Sequence, residues 1–254
     1  MSRNLRIGTT VVALVLAGGA LAFGQAEEEK SEWSKTLSLG ATATDGNSNT
    51  LNLNGALIGA REGEIQSTRL GVEANYAEAE DPDTGEDSIT AQNVRLFGNY
   101  KYKFKPRWYA YTDNSFLHDE VGGLDYRIIT GAGVGGFAIK DETVSLSLEI
   151  GAAYIHENYI AGSADNVDDA VAMRLAARHE RVLSETARAW AALEILPKID
   201  DVEDYLLNAE VGVEANVNNR LSVRLVLQER YDHEPTAGLE ENDVTLIGSL
   251  VYIL

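Results

Sequence analysis

The chain has 254 residues, and its 40 aspartates and glutamates outweigh 21 lysines and arginines to give a formal net charge of −19. Acidity on that scale opposes nucleic-acid binding, which needs a basic footprint. With no cysteine, disulfides, thiolate metal sites, a cysteine nucleophile and a lipid-modified amino-terminal cysteine are all excluded.

Arg3 and Arg6 precede an apolar run from Ile7 to Phe23, which gives way to Gly24-Gln25-Ala26 and the abruptly acidic Glu27-Glu28-Glu29. These are the charged start, apolar core and small-residue cleavage site of a secretory signal, so a leader over 1–26 and a mature domain over 27–254 are expected. A retained anchor is the alternative, although the apolar core is short for a spanning helix. No later segment offers the ~18 consecutive apolar residues of a transmembrane helix, so any contact with lipid has to be made by strands.

Alternation with a period of two dominates the rest of the chain. From Thr143 to His156, Val144, Leu146, Leu148, Ile150, Ala152 and Tyr154 share one face, while Thr143, Ser145, Ser147, Glu149 and Gly151 share the other. Such a segment reads as a strand between an apolar and an aqueous environment. Segments of this kind predict twelve strands, at 33–45, 50–61, 65–78, 89–104, 107–117, 124–139, 142–156, 169–182, 186–197, 204–217, 220–232 and 243–254. An even number is what a closed bacterial barrel requires.

The connections sort by parity. Counting from a periplasmic amino terminus, alternate turns are short, as at Glu62-Gly63-Glu64, Lys105-Pro106, Lys140-Asp141, Ser184-Glu185 and Asn218-Asn219. The others include the longest and most acidic, at 79–88, 157–168, 198–203 and 233–242. Short turns inside and long loops outside mark an outer-membrane barrel. Aromatic residues divide into two bands, with Trp33, Tyr102, Phe104, Trp108 and Tyr252 at the periplasmic ends and Tyr76, Phe116, Tyr126, Tyr154, Tyr205 and Tyr231 at the outer ends. Paired aromatic girdles belong at the two faces of a bilayer. The fold class expected is therefore all-β, a transmembrane antiparallel up-and-down barrel in the outer membrane. A water-soluble barrel or sandwich stays open, because alternation alone does not say which face points inward.

Parity places Arg69, Glu73, Arg95, Asp113, Asp125, Arg127, Glu149, Arg174, Arg178, Arg188, Glu194, Glu210, Glu214, Arg224 and Arg230 on the inward face of such a barrel. Arg95, Asp113, Asp125, Arg127, Glu149, Arg174, Glu210 and Arg224 are the lumen charges singled out as site residues. Charges at membrane depth have to be paired or hydrated, so they predict an internal ion-pair network or a water-lined path. Loop acids such as Asp81, Asp83, Glu86 and Asp87, or Asp200, Asp201 and Glu203, offer oxygens to divalent cations, but Asp81-Pro82-Asp83-Thr84-Gly85-Glu86-Asp87 lacks the helix-loop-helix calcium pattern. A solvated acidic rim is the plainer expectation.

His118, His156 and His233 fall near the outer rim on non-neighbouring strands, so joint metal ligation would require loops to fold over the mouth. A lipid hydrolase on the lipid-facing side needs a serine within reach of a histidine. His156 faces outward with Tyr154, but Tyr126 and Val171 occupy the flanking positions. The run Gly131-x-Gly133-x-Gly135-Gly136 lacks the strand-to-helix context of a nucleotide loop and instead permits bending or close packing in a strand.

The segment Thr44-Asp45-Gly46-Asn47-Ser48-Asn49-Thr50, followed by Arg107-Trp108-Tyr109-Ala110-Tyr111 and by His118-Asp119-Glu120-Val121-Gly122-Gly123-Leu124-Asp125-Tyr126-Arg127, resembles the domain of unknown function 481 family. Members of that family are often called salt-induced outer membrane proteins. The resemblance continues through the glycine-rich strand into Leu146–His156. It implies an outer-membrane barrel and carries over no catalytic residue. The chain departs from the pattern at Gly136-Phe137, where the family carries Gly-Tyr, and at the terminal Leu254.

The function expected is that of a non-enzymatic, porin-like barrel without cofactors, acting as a narrow pore or an envelope component. A closed structural or surface-binding barrel is the alternative, and a lipid-modifying enzyme comes third. Outer-membrane lipid, the barrel assembly machinery and divalent cations at the acidic loops are the expected partners.

Overall fold

The computed structural model describes residues 32–44, 49–81, 84–160, 167–235 and 238–254, so the expected leader over 1–26 lies outside the described residues. Twelve strands follow one another: β1 (Ser34–Thr44), β2 (Thr50–Glu62), β3 (Gln66–Glu80), β4 (Asp87–Lys105), β5 (Trp108–Asp119), β6 (Leu124–Lys140), β7 (Val144–Tyr159), β8 (Val167–Ser184), β9 (Ala187–Pro197), β10 (Tyr205–Asn216), β11 (Leu221–Asp232) and β12 (Asn242–Ile253). Each pairs antiparallel with its sequence neighbours, and β1 closes on β12, with Thr36 opposite Ile253 and Leu39 opposite Leu250. The Leu254 amide donates to the Lys35 carbonyl at 2.9 Å and finishes the seam. The twelve-stranded up-and-down barrel expected from the alternation is the fold the chain adopts.

The orientation of the two faces removes the soluble alternative. On β7, Leu148, Ile150 and Tyr154 are 50%, 53% and 48% exposed, whereas the intervening Ala153 and Ile155 are 2% and 1% exposed. Leu70, Leu96, Val171, Val211, Val223 and Leu246 continue the exposed apolar face around the wall. A water-soluble barrel turns that face inward to make its core; here it points out, and the charged residues of the same strands point in.

Inside, one side of the barrel is filled. Ala153, Ile155, Ala170, Ala172, Leu196 and Leu206 form an apolar cluster on β7 to β10, with Ile129 of β6 packed against it. Four inward aromatic side chains lie over glycines directly across the ladder: Phe97 over Gly71, Tyr111 over Gly133, Tyr109 over Gly135 and Trp190 over Gly212. A Cβ at Gly135 would come within 2.6 Å of the Tyr109 ring, and one at Gly71 or Gly212 would overlap the facing ring. The glycine-rich strand β6 is therefore a bed for two tyrosines, which lets large rings lie flat against the wall.

Several strands run further than the alternation indicated. β7 continues to Tyr159 and β8 begins at Val167, so part of the expected loop at 157–168 is ladder. β4 likewise starts at Asp87. Backbone hydrogen bonds do not need an apolar face, so a strand continues after its side chains leave the lipid, where the contrast that reveals it in sequence disappears.

Two substitutions test this architecture. Ile150→Arg places a charge on the outward face of β7 and is expected to destabilise the barrel by about 2–4 kcal/mol when unfolding is followed in lipid vesicles; a change near zero would show that this face meets water. Gly212→Val is expected to lift the Trp190 indole off β10, shift its fluorescence and cost about 1–3 kcal/mol as an overpacked site.

Candidate functional site in the barrel interior

Three groups of charged side chains occupy the interior. The middle group centres on Arg174 of β8, whose side chain is 8% exposed. Its guanidinium reaches Glu149 of β7 at 2.8 Å, Glu194 of β9 at 2.6 Å and Asp113 of β5 at 4.0 Å, and it lies 4.8 Å from the centre of the Tyr111 ring. Glu149 also takes Lys101 of β4 at 2.7 Å and the Tyr109 hydroxyl at 2.9 Å. Asn99 and Asn208 donate to Asp113 and Glu194 at 2.9 and 3.2 Å. One arginine and its partners thus tie β4 through β10 together across the filled side. Removing one member of such a network leaves buried charge uncompensated, at a cost of about 3–5 kcal/mol.

The second group spans the barrel near its outer end. Arg127 of β6 bonds to Glu157 on neighbouring β7 and, at 2.5 Å, to Asp232 of β11. In the closed sheet β6 and β11 are separated by four strands in one direction and six in the other, so this ion pair crosses the lumen. The Tyr159 hydroxyl donates to Glu157 at 2.9 Å, and Glu157 is 3% exposed.

The third group borders an open cavity of about 120 Å3 on the side left unfilled. Ser38, Asn54 and Ser249 supply neutral polar wall, while Arg69, Glu73, Arg178, Trp190, Glu210 and Arg224 supply charge and an indole. Glu214 holds Arg224 at 2.5 Å and Arg188 at 3.2 Å, Glu180 holds Arg178 at 2.7 Å, and Glu73 holds Arg95 at 3.3 Å. Glu210 accepts from the Trp190 indole and from Gln228 at 3.2 Å.

Of the residues singled out in sequence, Asp113, Glu149 and Arg174 come together in the middle group, Glu210 and Arg224 border the cavity, Arg95 is paired with the cavity's Glu73, and Arg127 stands apart near the outer end. Asp125 departs from the expected inward set. A register shift between Leu124 and Tyr126 breaks the alternation; Leu124 turns inward at 6% exposure, and Asp125 is left exposed at the rim, where it accepts from Asn158 at 3.4 Å. The sequence reading missed Glu157 and Asp232, the acids that hold Arg127. Glu157 shares the parity of Glu149 and would have been found had its strand been carried one residue further. Nothing local marks Asp232, because its partner lies on the opposite wall.

At the rim, His156 Nδ1 lies 2.6 Å from Asp169 and its Nε2 3.3 Å from the Tyr126 hydroxyl, while Tyr154 donates to Asp169 at 2.5 Å. Asp and His are oriented as in a hydrolytic triad, but the third member is a phenol, and no serine bonds to this histidine among the described residues. Tyr205, Tyr231 and His233 form a second ring cluster. Between β9 and β10, burial works against the charge of Lys198, but Asp204 at 2.6 Å and Asp168 at 3.0 Å outweigh it and hold the ammonium above its usual range. Among the described residues no group of three or more histidines or carboxylates is placed to hold a metal ion.

A search of curated protein sequences finds no match. Among solved structures, the NanC porin superposes with a TM-score of 0.51 at 7% identity, over 87% of this chain and 99% of that one. The KdgM porin aligns at 0.45 and 8% identity over 87% and 98% of the two chains. The translocator domain of the autotransporter NalP from Neisseria meningitidis aligns at 0.46 and 12% identity over 87% and 86%. The likeness to NanC is one of fold. A sequence model of the family described as protein of unknown function, DUF481, matches residues 37–253, from the first strand of the barrel to its last, and the chain belongs to that family.

Proposed function

We propose that this chain is a non-enzymatic barrel of the outer membrane whose partly open interior passes small hydrophilic solutes. The observation that carries this reading is the open hydrophilic cavity of about 120 Å3 inside a wall whose outer face is apolar. Closed barrels are one of only two structures that satisfy every backbone group in a bilayer, and a chain built this way takes outer-membrane lipid as its solvent and the barrel assembly machinery as its route of insertion. Twelve strands lie between the ~8 that side chains fill and the ~16 to 18 that leave a wide channel. This barrel combines both outcomes, with its interior filled on one side and open on the other.

A second reading, a closed structural barrel, is favoured by the ion pair from Arg127 to Asp232 across the outer half and by the apolar cluster beside it. In the pore reading these same groups form the constriction. The acidic loops surround the mouth with a solvated negative field that gathers cations from the medium, divalent ones included.

The mature protein, folded in detergent and shown to migrate as a heat-modifiable band, is expected to produce discrete current steps in planar bilayers with KCl on both sides. Stable insertion without current would establish the closed barrel instead. Arg127→Ala opens the bridge on both of its sides and is expected to raise single-channel conductance by ~2-fold or more, since a narrow constriction dominates the resistance of a pore. Unchanged conductance in that variant would place the constriction elsewhere.

A further inference from the structure

We propose that Arg69 forms the centre of an anion-binding site in the open half of the interior, and that the site takes small solutes bearing a carboxylate or phosphate group. This rests on the pore reading for its role in transport but not for its existence.

Three observations converge. The first is pairing. Arg95, Arg127, Arg174, Arg178, Arg188 and Arg224 each have a carboxylate within 4.0 Å. Arg69 has no such partner among the described residues, and the glutamates nearest the cavity are already engaged: Glu73 by Arg95, Glu180 by Arg178, and Glu210 by Trp190 and Gln228. The cavity therefore holds a guanidinium without an ion-pair partner of its own, although Glu73 and Glu210 line the same space.

The second is presentation. Arg69 is exposed within the barrel, and its guanidinium lies 5.7 Å from the centre of the Phe97 ring, while Arg95 approaches the same ring at 5.0 Å. An aromatic support holds the planar fork in place without consuming its donors. Phe97 is itself seated over Gly71, so the support belongs to the wall.

The third is company. Arg178 and Arg224 approach the same cavity from β8 and β11, and the strands between β3 and β11 are neutral there, with Ser38, Asn54 and Ser249 offering hydroxyls and an amide. A guanidinium stays charged throughout the physiological range and matches carboxylate and phosphate oxygens two at a time. Within a wall surrounded by lipid, an unpaired cation is relieved by an anion that enters from water.

Such a site runs against the charge of the chain as a whole. A net charge of −19 and an acidic rim would by themselves make a cation-preferring pore.

The decisive measurement is the reversal potential of the full mature protein in planar bilayers under a tenfold KCl gradient, with inorganic phosphate then added as a blocker. The expected result is chloride preference and partial block by phosphate. In Arg69→Gln the chloride preference should fall several-fold, and the phosphate concentration for half block should rise about ten-fold, as for loss of one charge-assisted pair. Ser249→Asp, which adds a carboxylate to the cavity wall on β12 across the ladder from Arg224, should act in the same direction if Arg69→Gln fails to fold. Cation preference in the wild type, or variants indistinguishable from it, would overturn the inference. If the barrel inserts without current, the pore reading fails alone. Trp190, which borders the same cavity, then reports binding: in a Trp33→Phe, Trp108→Phe background its emission should respond to phosphate, with half-saturation about ten-fold higher once Arg69 is replaced. No response there would remove the site as well.

Discussion

The structure depends on one seam. β1 and β12 pair over a short register, Thr36 to Leu39 against Leu250 to Ile253, and this pairing converts an open sheet with two bare edges into a wall without any. In lipid each unpaired amide or carbonyl costs several kcal/mol, so the seam permits all the other strands to meet the bilayer. Closure also creates two separate solvents for one sheet. Each strand can then carry leucine and valine on one face and glutamate and arginine on the other without either set being misplaced.

Having an interior, the barrel has to decide how to occupy it. The sequence assigns the filled side its apolar cluster, Tyr109, Tyr111 and the network around Arg174, and the other side serines and asparagines beside Trp190 and a second set of ion pairs. Arg174 is the hub of the filled side, because a guanidinium with five donors can serve Glu149, Glu194 and Asp113 from a single position. Arg127 does different work, since its partners Glu157 and Asp232 stand on separate walls. One arginine knits neighbouring strands and the other braces opposite ones.

How much of this was legible in the sequence follows from what alternation records. It records phase, so the number of strands, their order and the inward direction of Glu149 and Arg174 could be read directly. It records nothing once both faces of a strand are wet, which is why the ends of β7 and β8 and the inward-facing Glu157 read as loop. It is also blind to a register shift, and the bulge after Leu124 moves Asp125 out of the set its parity assigned. Contacts across the lumen, such as Arg127 with Asp232, join residues whose separation in sequence and in the ladder gives no local hint. The cavity arises from the same blindness, because parity says which residues face inward and not which of them reach the middle.

The rings that lie over glycines have a consequence for how such a barrel can change over generations. At Trp190 and Gly212, or Tyr109 and Gly135, the volume on one strand is matched by its absence on the next. Neither member can grow alone without a clash, and shrinking the ring alone opens a void against a bare backbone. The two positions are therefore expected to drift as a couple, large with small or middling with middling. The bore of the lumen in related chains would then be altered in paired steps at these four places, leaving the lipid-facing residues between them free to vary as any apolar side chain allows.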